Sequence, residues 1–196
     1  MNNCIFSGHC TKAVCDQSCT NLVETSYLLE RNQISINSSV FHANPSDITK
    51  CNKVIEGCEG RIRAVLTNSS NSVAELLTYC SICKTWEGNR LSAAVYNLKL
   101  SQYIETLQKG WSNKSASEDA DFISIWANSA KILIISNIDY ITFKDFQCQT
   151  LLSLLQNREK PELSTIIVSP QINSLVGDGQ FFTILKDRIK RAAVKW

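Results

Sequence analysis

The chain has 196 residues, 44% hydrophobic and 19% charged, with only seven Gly and three Pro; this is the composition of one compact domain with a small appendage and excludes a disordered tail. No run approaches the roughly 18 apolar residues that span a bilayer, and Met1-Asn2-Asn3-Cys4 lacks the basic and apolar regions of a signal peptide, so a soluble, cytoplasmic protein is expected. Twenty Lys and Arg against 18 Asp and Glu leave a formal charge of +2, too small a bias to argue nucleic-acid binding from charge alone.

Nine cysteines are unevenly placed. Cys4, Cys10, Cys15 and Cys19 form a C-x5-C-x4-C-x3-C segment too short and polar to bury a core, so a ligand must supply its folding energy. Four thiolates enclose a tetrahedral zinc, with His9 able to replace Cys10; free thiols and an iron–sulfur cluster are the alternatives. The expected cofactor is one structural zinc in an N-terminal module.

Downstream, Val23, Tyr27 and Leu28 suggest an amphipathic helix over 20–31 that packs beside the cysteine module and completes a first unit over residues 1–31. Polar residues 32–45, broken by Asn44-Pro45, read as a linker. Ser46 suits the N-cap of a helix whose apolar face is Ile48, Cys51, Val54, Ile55 and Cys58, which makes Cys51 and Cys58 core residues. Arg61 to Leu66 suits a strand, followed by a polar turn and a helix from Ser72 to Trp86. Leu91 to Leu98 reads as a strand, Ser101 to Trp111 as a helix and Ser112 to Ser117 as a loop. Glu118 and Asp119 suit the first turn of another helix, with Phe122, Ile125 and Trp126 as its apolar stripe. Lys131 to Ser136 is a continuous apolar run of the sort buried on both faces of a parallel sheet. Thr142 suits the cap of a helix over Phe143 to Arg158; a strand over Ser164 to Ser169, a helix over Gln180 to Lys190 and a strand over Ala192 to Trp196 complete the chain. This order predicts an α/β, doubly wound parallel sheet over residues 46–196.

The run AKILIISNIDYITFKDFQCQTLLSLLQNREKPELSTIIVSP resembles the second half of the nucleotide-binding core of AAA+ ATPases, most like bacterial replicative helicase loaders and related transposon ATPases. GDGQFFTILKDRIKRAAVKW is similar to the family's stretch leading to its fifth strand. The resemblance covers roughly residues 46–196 and implies a P-loop core; the chain stops about where the family's helical lid begins, which implies a lidless one.

The departures from the family pattern concern its chemistry. A phosphate-binding loop needs glycines, a Lys and a Ser/Thr hydroxyl, yet Leu66-Thr67-Asn68-Ser69-Ser70-Asn71-Ser72-Val73 contains neither Gly nor Lys. Ser136-Asn137 stands where the family has two acidic residues for magnesium and water, and Ser169-Pro170 where it has Thr/Ser-Asn. The resemblance with these losses implies a pseudo-ATPase, not an enzyme, working as an adaptor in DNA replication or mobile-element biology, with a helicase or similar protein as partner. The alternatives are a nucleotide-binding regulator or residual ATPase holding magnesium nucleotide with Ser70, Ser72 and Asp139, and a single-stranded DNA binder. The last would use Lys186, Arg188, Lys190, Arg191 and Lys195, a basic run opposed only by Asp187. Cys80-Ser81-Ile82-Cys83 has redox spacing but falls inside a helix, so these thiols read as core. His9 and His42 are the only histidines, which leaves no recognisable nucleophilic triad.

The zinc reading predicts that native mass spectrometry of the protein purified without added metal finds one zinc, and that Cys4→Ser and Cys15→Ser each lose it. One full equivalent retained in both variants would remove these cysteines from the ligand set.

Overall fold

The computed structural model describes residues 20–35, 38–87 and 95–196. Cys4, His9, Cys10, Cys15 and Cys19, the expected zinc module, lie outside the described residues. In chain order the strands are β1 (Ile62–Leu66), β2 (Val95–Lys99), β3 (Ile132–Ser136), β4 (Thr142–Phe143), β5 (Ser164–Ser169), β6 (Val176–Gly177) and β7 (Ala193–Lys195). The helices are α1 (Thr20–Arg31), α2 (Pro45–Gly57), α3 (Ser70–Glu87), α4 (Leu100–Gly110), α5 (Lys114–Ser129), α6 (Asp145–Glu159) and α7 (Gly179–Arg191). No described helix is long and apolar enough to cross a membrane.

Five parallel strands form one sheet in the order β2-β3-β5-β1-β7, as the apolar runs predict. Alternation along each strand divides the core. Leu133, Ile135 and Ile167 face a layer built with α4, α5, α6 and α7, whereas Ile132, Ile134, Ile166 and Val168 face α1, α2 and α3. A second, two-stranded sheet pairs β4 with β6. It closes over the stacked rings of Phe143 and Phe182, 5.9 Å between centroids. Gly177 permits this closure, because a Cβ there would stand 2.6 Å from the Phe182 ring and 2.7 Å from the Phe143 carbonyl oxygen.

The stretch 32–45, expected as a linker, is packed where it is described. Ile34 and Val40 are buried in the same core layer as Leu28 and Leu29 of α1. Composition misleads here because a few apolar side chains suffice to seat a polar segment, and the hydroxyl of Ser38 anchors it by donating to Glu75 at 2.7 Å. The C-terminal half of α1 therefore belongs to the α/β domain rather than to a module divided from it at residue 31. Arg31 reinforces the junction, its guanidinium carbon 5.2 Å from the Trp126 ring centroid and 5.7 Å from that of Tyr96.

Helix α5 begins four residues earlier than Glu118, because the Asn113 side chain accepts hydrogen bonds from the Ser115 and Ala116 N–H groups. Its expected apolar stripe faces outward: Phe122 and Ile125 are 58% and 60% exposed. Small residues take the inner face. Ala120 and Ala127 are buried, and α4 and α5 approach so closely that a Cβ on Gly110 would meet the Ser117 Cα at 3.0 Å. Thr142 does not cap α6. It is paired into β4, and the helix starts at Asp145, with the Gln147 side chain accepting from the Lys144 N–H. Strand β2 runs to Lys99, one residue past the expected end, and residues 91–94 of the expected strand lie outside the described residues. Helix α2 begins at Pro45, its fixed φ suiting the first helical turn, ahead of the expected cap at Ser46.

Arg158 is wholly buried in the α6 layer. Its guanidinium donates to the Ala127 and Asn128 carbonyls at the end of α5, to the Thr165 hydroxyl and to the Ser164 carbonyl at 2.6 Å. Burial pushes its pKa down to about 10, so the group still carries charge at neutral pH, and the helix end and strand start supply the polar partners that offset its desolvation. Arg158→Met should therefore lower stability by about 2–4 kcal/mol, since it strands these acceptors in the core. Urea denaturation with an unchanged slope and a lower midpoint checks this.

Candidate functional site

Open α/β sheets bind ligands outside the carboxyl ends of their strands, where the strand order reverses. Here β1 stands between β5 and β7, so the edge to inspect comprises the β1–α3 turn, the end of β3 and the end of β5. The β1–α3 turn is closed by its own side chain: the Thr67 hydroxyl accepts from the Ser69 N–H at 3.2 Å. The Val73 N–H then bonds the Ser69 carbonyl at 3.0 Å, and α3 starts at Ser70, two residues before the expected cap. Ser70 is partly exposed and Ser72 exposed, both in the first turn of α3.

At the end of β3, Ser136 is buried and donates to the Asn97 side-chain oxygen at 3.0 Å. Asn97, buried in β2, donates its backbone N–H to the side-chain oxygen of Asn32 at 2.8 Å, and the Asn32 amide in turn donates to the Leu28 carbonyl. Asn32 thus ends α1 and supplies the acceptor that edge strand β2 lacks. The chain Asn32–Asn97–Ser136 is a polar link from the end of α1 to the end of β3. Asn137 adopts a left-handed conformation, φ 57°, which Asn tolerates, and leads into a 3-10 turn on which Asp139 is exposed. Strand β5 lies between β3, which leads to Asp139, and β1, which leads to Ser70 and Ser72, and no hydrogen bond joins the three among the described residues. The Ser169 hydroxyl at the end of β5 is buried without a hydrogen-bond partner among the described residues.

The basic residues of α7 point in different directions. Arg188 pairs with Glu159 of α6, and Arg191 with Asp187 one turn back. Lys186 and Lys190 line a cavity of about 660 Å³. Leu66, Ile172 and Phe182 form its apolar part, and Gln171, Asn173 and Thr183 add polar groups. The Lys186 ammonium lies 5.7 Å from the Phe182 ring centroid. The side chain of Lys195 is outside the described set. His42 is exposed on a 3-10 turn. Among the described residues no group of three His, Cys, Asp or Glu is placed to hold a metal ion.

Asn32, Asn97 and Arg158 escaped the sequence reading. Arg158 had a signal: it falls at the i+7 position of the inward stripe Leu151, Leu154, Leu155, where only a core residue fits. Asn97 interrupts the apolar run of β2 in the same way.

No protein-family pattern matches the chain, and no curated protein matches it. Two solved structures share its fold. One is described as a DNA replication initiation factor, with a TM-score of 0.56 and 11% identity over 82% of this chain and 50% of that one. The other is AMPPCP-bound DnaA from Aquifex aeolicus, with a TM-score of 0.52 and 12% identity over 74% of this chain and 43% of that one. This chain spans half or less of the length of these structures. At such identities the likeness is one of fold.

Ser136→Asp should lower stability by about 2 kcal/mol, because its carboxylate would face the Asn97 oxygen in a buried site, and should leave the rate of magnesium-dependent phosphate release from ATP unchanged. Phosphate release and urea denaturation of the same preparation read both effects.

Proposed function

We propose that this protein is a non-catalytic adaptor of a DNA replication or mobile-element complex, a pseudo-ATPase that keeps the packed core of a replication ATPase without its phosphate chemistry. The observation that carries this reading is Ser136, buried and bonded to Asn97, where hydrolysis requires a carboxylate facing magnesium. The β1–α3 turn supports it, having neither the glycines that let N–H groups converge on phosphate nor a lysine to reach it. The cysteine segment before α1 would fold around zinc and present the surface for a protein partner, since the end of α1 itself is occupied in the domain core. That part of the proposal rests on analogy with helicase loaders.

A second reading, contact with single-stranded DNA, draws on Lys186 and Lys190. They line one cavity and join no ion pair among the described residues, whereas Arg188 and Arg191 are already paired.

Thermal unfolding with saturating ATP and magnesium separates the adaptor from a nucleotide-binding regulator. No shift is expected; a ligand at 100 times its dissociation constant would add about 2.7 kcal/mol and would return Ser70, Ser72 and Asp139 to consideration. Partners captured by the full chain should be lost on deletion of residues 1–19, and retention of all of them would remove the docking role from that segment.

A further inference from the structure

Three thiols converge on the seam between α2 and α3, none of them used by the proposed function. Cys51 of α2 is fully buried and Cys80 of α3 is 5% exposed; Cys83, one turn further along α3, is partly exposed. A cleft of about 380 Å³ reaches Cys80 and Cys83 from the surface. Ile48 and Tyr79 line it, together with Lys84 and Glu56, which form an ion pair at 2.8 Å. Cys51 and Cys80 are in side-chain hydrogen-bonding contact across the two helices.

We propose that Cys51 and Cys80 form a thiol–disulfide exchange site, reached by low-molecular-weight disulfides through the α2–α3 cleft, which closes into a bridge between α2 and α3. The assignment of roles follows from access. Cys80 lines the cleft, whereas Cys51 does not. Burial opposes ionisation of both thiols.

Exchange then runs in two balanced steps. The Cys80 thiolate attacks one sulfur of the small disulfide, forming a mixed disulfide and expelling one small thiolate. The Cys51 sulfur attacks the Cys80 sulfur and expels the second, and the two protein protons leave on the two small thiols. Two protein thiols are oxidised and one disulfide is reduced to two thiols.

The other cysteines are poorly suited to this exchange. Cys80 and Cys83 are i,i+3 neighbours, whose Cβ atoms stand about 5–6 Å apart on a helix, wider than the roughly 3.5–4.5 Å a disulfide takes. The Cys58 thiol is held by the Arg61 and Thr165 carbonyls at 3.1 and 3.3 Å, and its pKa is pushed up to about 11 by burial. Cys148 is buried in the opposite core layer.

The test uses the full chain incubated with oxidised glutathione, followed by alkylation of remaining thiols and tryptic mapping. Trypsin separates Cys51, in Cys51-Asn52-Lys53, from Cys58, in residues 54–61, and from Cys80 and Cys83, in residues 64–84. The expected product links the Cys51 tripeptide to the 64–84 peptide, with Cys58, Cys83 and Cys148 alkylated and the link lost on adding dithiothreitol. Cys83→Ser should keep the link, and Cys51→Ser should stop at one glutathione on Cys80. A Cys80–Cys83 link overturns the proposal, as does Cys51 remaining alkylated under excess oxidised glutathione. The wild-type map decides this even where a variant fails to fold.

Discussion

Burial of β3 and β5 on both faces is the constraint from which the rest of the architecture follows. Every residue of these two strands is buried, so the chain must supply apolar cover on each side, and it does so with α1 to α3 on one face and α4 to α7 on the other. A strand enclosed in this way can satisfy its backbone only through neighbouring strands, which brings β2, β1 and β7 alongside in parallel. Arg158 and Asn32 are buried polar residues that sit where a helix ends or a strand has no neighbour. Arg158 satisfies carbonyls at the end of α5, and the Asn32 side chain accepts from the Asn97 backbone N–H.

The same constraint explains how the domain recruits its N-terminal flank. Strand β2 lies at the edge of the sheet with part of its hydrogen-bonding row open. The Asn32 side chain fills one of those places, and Leu28, Leu29, Ile34 and Val40 cover the adjoining core. An α/β domain that began at residue 46 would leave this edge and this apolar patch to water. Helix α1 is therefore part of the structural unit, and the cysteine segment attaches to it directly.

At the carboxyl edge of the sheet, the chain carries neutral side chains at the ends of β1, β3 and β5. Ser136 is tied to Asn97, the Thr67 hydroxyl closes the β1–α3 turn, and Pro170 follows a buried Ser169. Neutral groups can be satisfied by one another inside the protein, whereas a buried carboxylate would need a cation. The Ser136–Asn97 and Thr67–Ser69 hydrogen bonds close two of these positions, and apolar side chains stand on the surface of the domain. Exposed Trp111, set edge-to-face on Phe146, and the outward Phe122 and Ile125 are apolar features of that surface.

Much of this was legible in the linear chain, and the reason is periodicity. Continuous apolar runs at 131–136 and 164–169 mark strands buried on two faces, and their alternation with amphipathic segments implies the parallel α/β sheet. The absence of Gly and Lys from the β1–α3 turn, and of an acid at the end of β3 itself, is likewise a property of the residues alone. What the chain does not display is which face of α5 turns inward. That depends on how closely α4 approaches, and Ala120 and Ala127 are buried because the Gly110–Ser117 crossing leaves no room for Phe122 or Ile125. Nor does it display that polar residues 32–45 pack, that Arg158 is a core residue, or that Asn32 reaches Asn97 across 65 positions of sequence. Only tertiary structure decides these, because each depends on a partner that folding brings near and local propensity cannot anticipate.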